Sequence, residues 1–320
     1  MLRIHLSSLA LASGVLVATI HAAPFADAVV SYTPGAGFAP GYTDPSAALG
    51  EPSRVTPGMF GGPVDPFDPP FLATQIVSLG AGGSLTVQFI TPIFNSPGHL
   101  YGLDFLIFGN AGFDTGPDFN GIANGSLFGQ NTGATRVSVS ADNVTYFELN
   151  PAFAPVVDTL FPTDGAGDFH TPVNPLIGAA AFAGQDLAGV RNLYAGSGGG
   201  AGFDLAWARD GGGQSVSLPS VNYIRVEVLS GKSEIDGFAT VVPEPATWTL
   251  LGLGAVLGWA ARRGASGHWL RRSARRPGSQ QPQGSIHSSD LPALPHFPAA
   301  ADGDRPRSGA VLGCAPRTAG

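Results

Sequence analysis

The sequence predicts an all-β fold over residues 24–241, a β-sandwich with long Gly/Pro-rich loops, preceded by an N-terminal signal helix and followed by a C-terminal transmembrane helix. Three observations lead there. In the middle of the chain, apolar residues recur at every second position over short runs, the pattern of half-buried strands. Turn formers separate those runs: 46 Gly and 28 Pro make up nearly a quarter of the 320 residues, while 20 Phe and an apolar fraction of 43% leave enough hydrophobic surface for a core. Towards both ends the alternation gives way to continuous apolar segments.

Residues 1–23 carry Arg3 and His5, an apolar run over 6–20, and His21-Ala22-Ala23 ahead of Pro24, the three regions of a signal peptide in order. The run is shorter than the ~20 residues of a membrane span, which favours cleavage, at Ala22 or Ala23, over anchoring. The clearest strands are expected at 84–90, 103–108, 135–140, 146–149 and 223–229. Gly80 and Gly83, Gly109-Asn110, Asp142-Asn143 and Gly231 punctuate them as turns. No long 3.6-residue period appears, and 176–190 is the one place a short helix is expected.

After the last strand stands Val242-Pro243-Glu244-Pro245-Ala246-Thr247, then an apolar stretch over 248–261, then Arg262-Arg263. Trp248 and Trp259 suit the two membrane interfaces, and the arginine pair suits the cytoplasmic side. Gly252, Gly254 and Gly258 lower helix propensity in water but are tolerated in lipid. This arrangement over 242–263 resembles the PEP-CTERM sorting segment of Gram-negative bacteria, which is delivered to an exosortase, a membrane-embedded cysteine transpeptidase. The resemblance implies that Pro243, Glu244 and Pro245 are recognised by that enzyme and that this chain is its substrate. Physically, two prolines hold an extended backbone of the kind that protease-like clefts bind. Family members stop soon after the arginines, whereas this chain continues for the 57 residues of 264–320, compositionally disordered and basic. A frameshift product and a cytoplasmic tail, its Arg271-Arg272 and Arg275-Arg276 set against anionic lipid, are the alternatives.

The body offers a second resemblance. Ala48-Leu49-Gly50-Glu51-Pro52, Asp104-Phe105-Leu106-Ile107-Phe108-Gly109-Asn110, Val137-Ser138-Val139-Ser140-Ala141-Asp142, Phe147-Glu148-Leu149 and Glu234-Ile235-Asp236-Gly237-Phe238 follow one another. Their order is similar to bacterial surface proteins with a jelly-roll, discoidin-like or galactose-binding-like domain. That kinship implies a central hairpin at 137–149 and a late strand that closes a sheet. Asn143 stands where the hairpin pattern has Gly, a substitution left-handed backbone accepts.

Charge narrows the partners. Between Pro24 and Pro243 there are 19 Asp and Glu against 6 Lys and Arg, whereas from Arg262 onward there are nine Arg against three Asp. An acidic body excludes nucleic acid as the partner of the folded part and suits solubility outside the cell. The one cysteine, Cys314, provides neither a disulfide framework nor a thiolate metal site.

Candidate sites are few. Asp114, Asp118 and Asn120 share one Gly-containing loop, and Asp164 and Asp168 another. Alternating oxygen ligands of this kind suit calcium, which jelly rolls often carry, although neither loop has EF-hand spacing. Asp104, Glu234 and Asp236, flanked by hydrophobic strands, are expected to be partly buried and to need a cation or backbone N–H partners. No motif requires a cofactor beyond that calcium. With only His99 and His170 in the body, no His-Glu-x-x-His pair and no Gly-x-Ser-x-Gly elbow, a non-enzyme is expected, a two-carboxylate glycosidase being the catalytic alternative. The stretch 196–202 lacks the Lys-Ser/Thr ending of a phosphate loop and reads as a flexible surface loop.

Two functional classes follow: a surface or matrix component with no chemistry of its own, and a module that binds extracellular polysaccharide through loops at one end, using Tyr32, Tyr42, Phe113, Phe119 or Trp207. The expected partners are an exosortase, the secretion translocon and signal peptidase. The expected route runs through the inner membrane to the cell surface or extracellular matrix.

Overall fold

A computed structural model of the chain describes residues 24–118 and 120–242. The expected signal peptide, Phe119, the sorting residues Pro243, Glu244, Pro245, Arg262 and Arg263, the expected membrane helix and the tail lie outside the described residues.

The protein is mostly β-sheet. One sheet has six strands in the order β1 (Ala28–Thr33), β3 (Ser84–Phe94), β11 (Ser220–Val228), β7 (Thr135–Ser140), β8 (Phe147–Leu149) and β10 (Ala208–Arg209). A second has four, in the order β2 (Val77–Gly80), β12 (Lys232–Thr240), β4 (Phe105–Gly109) and β9 (Ala201–Phe203). A small ribbon pairs β5 (Gly112–Phe113) with β6 (Leu127–Phe128). Every named pairing is antiparallel.

Alternation explains the packing. In β11, Ile224, Val226 and Val228 face inward with Val137 and Val139 of β7 and Leu85 and Val87 of β3, and they meet Phe105, Ile107, Phe203, Ile235 and Phe238 of the other sheet in one core. Phe105 and Phe203 are cross-strand partners whose rings stack with centroids 5.2 Å apart. Each such ring contributes roughly 1.5–3 kcal/mol on burial.

The two outer faces differ. That of the six-stranded sheet carries Arg136, Ser138, Arg225 and Glu227. That of the four-stranded sheet is roofed by loops, with Leu103, Leu106, Phe108, Phe169, Ala239 and Val241 forming a second apolar layer. β12 is therefore buried along nearly its whole length. A third cluster forms around the one α-helix among the described residues, α1 (Leu187–Tyr194), where Val190 and Tyr194 pack with Phe113, Val173 and Phe182.

The five expected strands are all present. That expected at 84–90 extends to Phe94, and the one expected at 103–108 begins two residues later, because Leu103 closes a 3-10 turn. The hairpin turn holds Asn143 at φ 60°, the left-handed geometry its sequence position required. The helix expected at 176–190 is corrected to Leu187–Tyr194. Gly184 at φ 79° precedes it, and the Asp186 side chain accepts from the Gly189 N–H to set its start.

The stretch 196–202 is also corrected: Ser197 to Gly200 are buried, and Ala201 begins an edge strand. Gly199 has φ 85°, and a Cβ there would run into the Pro162 carbonyl, while one on Gly200 would lie 2.9 Å from the Phe108 ring. The glycines are there for close approach rather than mobility. Chain entry and exit also meet. Phe25 bridges Ala239, and the Thr240 N–H donates to the Pro24 carbonyl at 2.8 Å.

Gly199→Ala is expected to destabilise the protein by at least about 3 kcal/mol in urea unfolding, combining a forbidden φ with a backbone clash. Gly178→Ala, where a Cβ meets nothing within 4 Å, is expected to change stability by less than about 0.5 kcal/mol.

Candidate functional site

The buried carboxylates are occupied one by one. Asp104 is fully buried: Oδ1 lies 2.7 Å from His99 Nδ1 and accepts from the Ser96 N–H, and Oδ2 accepts from the Leu205 N–H at 2.9 Å. Glu234 is buried at the start of β12 and pairs with Lys232 at 2.7 Å. Asp236 takes both the N–H and the hydroxyl of Ser53, at 2.8 and 2.7 Å. The three thus face three different sets of donors.

In the acidic loop, Asp114 accepts from the Gly116 N–H and from Asn124 Nδ2, which holds its carboxyl below the usual range. Asn120 accepts from the Ile122 N–H, and Asp118 is exposed. Asp164 forms a two-pronged ion pair with Arg191, and Asp168 caps a turn at His170 and Thr171. Among the described residues no three His, Cys, Asp or Glu side chains converge on a common point that could hold a metal ion. Asp104, Asp114, Asp164, Asp168, Glu234 and Asp236 each already accept from N–H, hydroxyl or cationic groups of the fold itself.

Asp158 was not singled out among the candidate sites. It is buried at φ 61°, with Oδ1 accepting from the Asn110 and Ala111 N–H groups and Oδ2 from the Glu234 N–H, all at 2.9 Å. A Cβ on Gly109 would strike this carboxylate. Asp158 therefore ties the end of β4 to the start of β12. Burial outweighs these donors and pushes its pKa up to about 7, with the nearby Glu234 charge adding to the rise. Burial likewise raises Asp236 to about 7 against the two bonds from Ser53. The available signal was an acid inside the apolar run Val156-Val157-Asp158-Thr159-Leu160-Phe161.

Of the aromatic residues expected at a loop site, Tyr32, Tyr42, Phe113 and Trp207 are among the described residues, and each packs or hydrogen-bonds within the fold. Tyr32 donates to the Ser78 carbonyl and Tyr42 to the Phe71 carbonyl, each at 2.8 Å. Phe113 is core, packed on Phe182 with centroids 4.8 Å apart. Trp207 packs against two core clusters and walls an apolar cavity of about 180 Å3 with Phe153, Leu160 and Pro175.

A groove of about 260 Å3 does open on the outer face of the six-stranded sheet. Its floor is a row in register across five strands: Thr86 faces Arg225, Arg225 faces Ser138, Ser138 faces Glu148, and Glu148 faces Arg209. One row along, Arg136 faces Glu227. Arg136 Nε lies 3.4 Å from Glu148 Oε2 and its Nη1 3.6 Å from Glu227 Oε2, ion-pair contacts in which the buried Nε makes no aligned hydrogen bond. The Arg225 guanidinium sits 3.7 Å over the Tyr146 ring. These positions were not singled out from the sequence, although β7 and β11 alternate so that Arg136, Arg225 and Glu227 share one face.

Residues 241–263 match the family model described as the PEP-CTERM protein-sorting motif. That motif implies export, membrane anchoring before processing, and an exosortase as the processing partner. No curated protein matches the chain. Among the described residues no helix is long and apolar enough to cross a membrane.

Two outcomes follow from the buried acids. Asp158 and Asp236 bind protons more tightly folded than unfolded, so their contribution to stability is full below the ordinary carboxylate pKa and is lost as pH rises towards 7. The thermal midpoint is therefore expected to fall between pH 5 and pH 7.5 and then level off. The Asp236→Asn chain, which can still pair with Ser53, is expected to show a shallower fall in the same calorimetric series. Chelation with EDTA is expected to leave the midpoint unchanged within about a degree, whereas a drop of several degrees would show that an ion stabilises the fold.

Proposed function

We propose that this chain is an exported, non-catalytic cell-surface or extracellular-matrix protein, a β-sandwich of jelly-roll, discoidin-like kinship released from a membrane-anchored form by an exosortase. The observation that carries this reading is the position of the sorting motif. Its match begins at residue 241, directly after β12 ends at Thr240, so the folded body runs straight into the processing signal.

The topology supports the same order of events. β12 lies between β2 and β4, so the four-stranded sheet closes only when residues through Thr240 have reached the compartment where the domain folds. Signal peptide, translocon and signal peptidase account for the start of the route. The sorting segment accounts for its end, and the absence of any cysteine before Cys314 suits a fold that needs no oxidation. The non-catalytic reading is supported by the individual hydrogen bonding of Asp104, Asp158, Glu234 and Asp236, which leaves none of them poised as a free acid or base. A second reading, a glycan-binding module, is favoured by the open groove on the six-stranded sheet.

In cells that possess an exosortase, the chain is expected to lose its C-terminal segment and leave the inner membrane. Replacement of Pro243, Glu244 and Pro245 by alanine is expected to leave it full-length in the membrane fraction, as read by immunoblot against an N-proximal epitope. Persistence of the unsubstituted chain at full length in such cells would overturn the reading.

A further inference from the structure

The groove on the six-stranded sheet has an unusual share of the body's positive charge. Of the six Lys and Arg between Pro24 and Pro243, three line it: Arg136, Arg209 and Arg225. The other three are each paired with a carboxylate: Arg54 with Glu51, Arg191 with Asp164 and Lys232 with Glu234. Among the described residues, no carboxylate lies within ion-pair distance of Arg209 or Arg225. In a body where acids outnumber bases threefold, two half-buried arginines without a carboxylate in ion-pair contact, set on one register row with Ser138 and Glu148 between them, point to an extended anion supplied from outside.

The rest of the lining indicates what kind of anion. Glu148, Glu227 and the exposed Asp210 stand in the same groove, and their charge opposes a small, densely charged ion such as phosphate. The two glutamates can accept hydrogen bonds from hydroxyl groups, and Arg136 between them lies within ion-pair distance of both. A sugar acid carries both halves of the match, a planar carboxylate for the arginine forks and hydroxyls for the two glutamates. The groove is shallow and open along the sheet, and smaller than the roughly 300 Å3 at which enclosed ligand sites begin, which suits a polymer lying across strands better than a molecule engulfed whole.

We propose that this face binds a uronate-containing polysaccharide, with Arg209 and Arg225 taking sugar carboxylates and Glu148 and Glu227, held by Arg136 between them, taking hydroxyls. The proposal deepens the matrix reading above, naming a ligand class for it, and places the site on the sheet face rather than on the end loops. Arg225 is held for this role by Tyr146 beneath it and by Thr86, whose hydroxyl accepts from its Nε at 3.2 Å.

The test uses the full chain, produced in a host without an exosortase and purified in detergent, with calorimetric titration of oligomers of galacturonate, oligomers of mannuronate, hyaluronan fragments, a neutral galactose oligomer and inorganic phosphate. Binding of at least one uronate oligomer, weakened on the order of tenfold or more by Arg209→Gln and by Arg225→Lys at unchanged thermal midpoint, is expected. Neither the neutral oligomer nor phosphate is expected to bind. Silence across the uronates, equal binding by both variants, or equal binding of the neutral oligomer or phosphate would overturn the proposal while leaving the sorting reading intact. Release of new reducing ends from a bound oligomer would keep the ligand class and overturn the non-catalytic reading instead.

Discussion

The carboxylate of Asp158 joins two strands that are far apart in sequence at the place where both are least able to reach water. It accepts from Asn110 and Ala111 just past β4 and from Glu234 at the start of β12. β12 is buried on both sides, so Ser233, Glu234 and Asp236 all need partners other than water. Asn131 meets Ser233, Lys232 meets Glu234 and Ser53 meets Asp236. Unsatisfied, each would cost on the order of 1–3 kcal/mol. The long loops are thus structural members: their polar atoms make it possible for a strand with three polar side chains to occupy the middle of a sheet.

That arrangement accounts for what the sequence revealed and what it concealed. β7, β8 and β11 were legible because one of their faces meets water, and alternation survives only where the two faces differ. β12 was legible through its Glu-Ile-Asp-Gly-Phe segment rather than its period, since a strand buried on both sides has no polar face to alternate with. The edge strands β9 and β10 are too short to carry a pattern. The glycines at 198–200 look in sequence like a mobile loop, and only the three-dimensional neighbours, Phe169, Pro162 and Phe108, show that the missing side chains make room.

The sites divide the same way. Asp104, Glu234 and Asp236 were recognisable as buried acids from their hydrophobic flanks, but whether a cation or an N–H would meet them depends on chain segments up to 183 residues away, as Ser53 is from Asp236. The arginines of the open groove are separated by as much as 89 positions, from Arg136 to Arg225, and become neighbours only through strand order. The sorting segment lies at the opposite extreme: its chemistry is contiguous, so a linear reading sufficed.

The meeting of Pro24 and Thr240 has a mechanical meaning. A folded body whose two ends are one hydrogen bond apart adds almost no length to the string of chain that contains it. Tension drawn through both ends would load that pair first and open the domain as a zip, one bond at a time from the Phe25 and Ala239 bridge inward, instead of sliding whole strands past one another. The body is therefore built to be held from a single point, and it yields most readily when pulled from two.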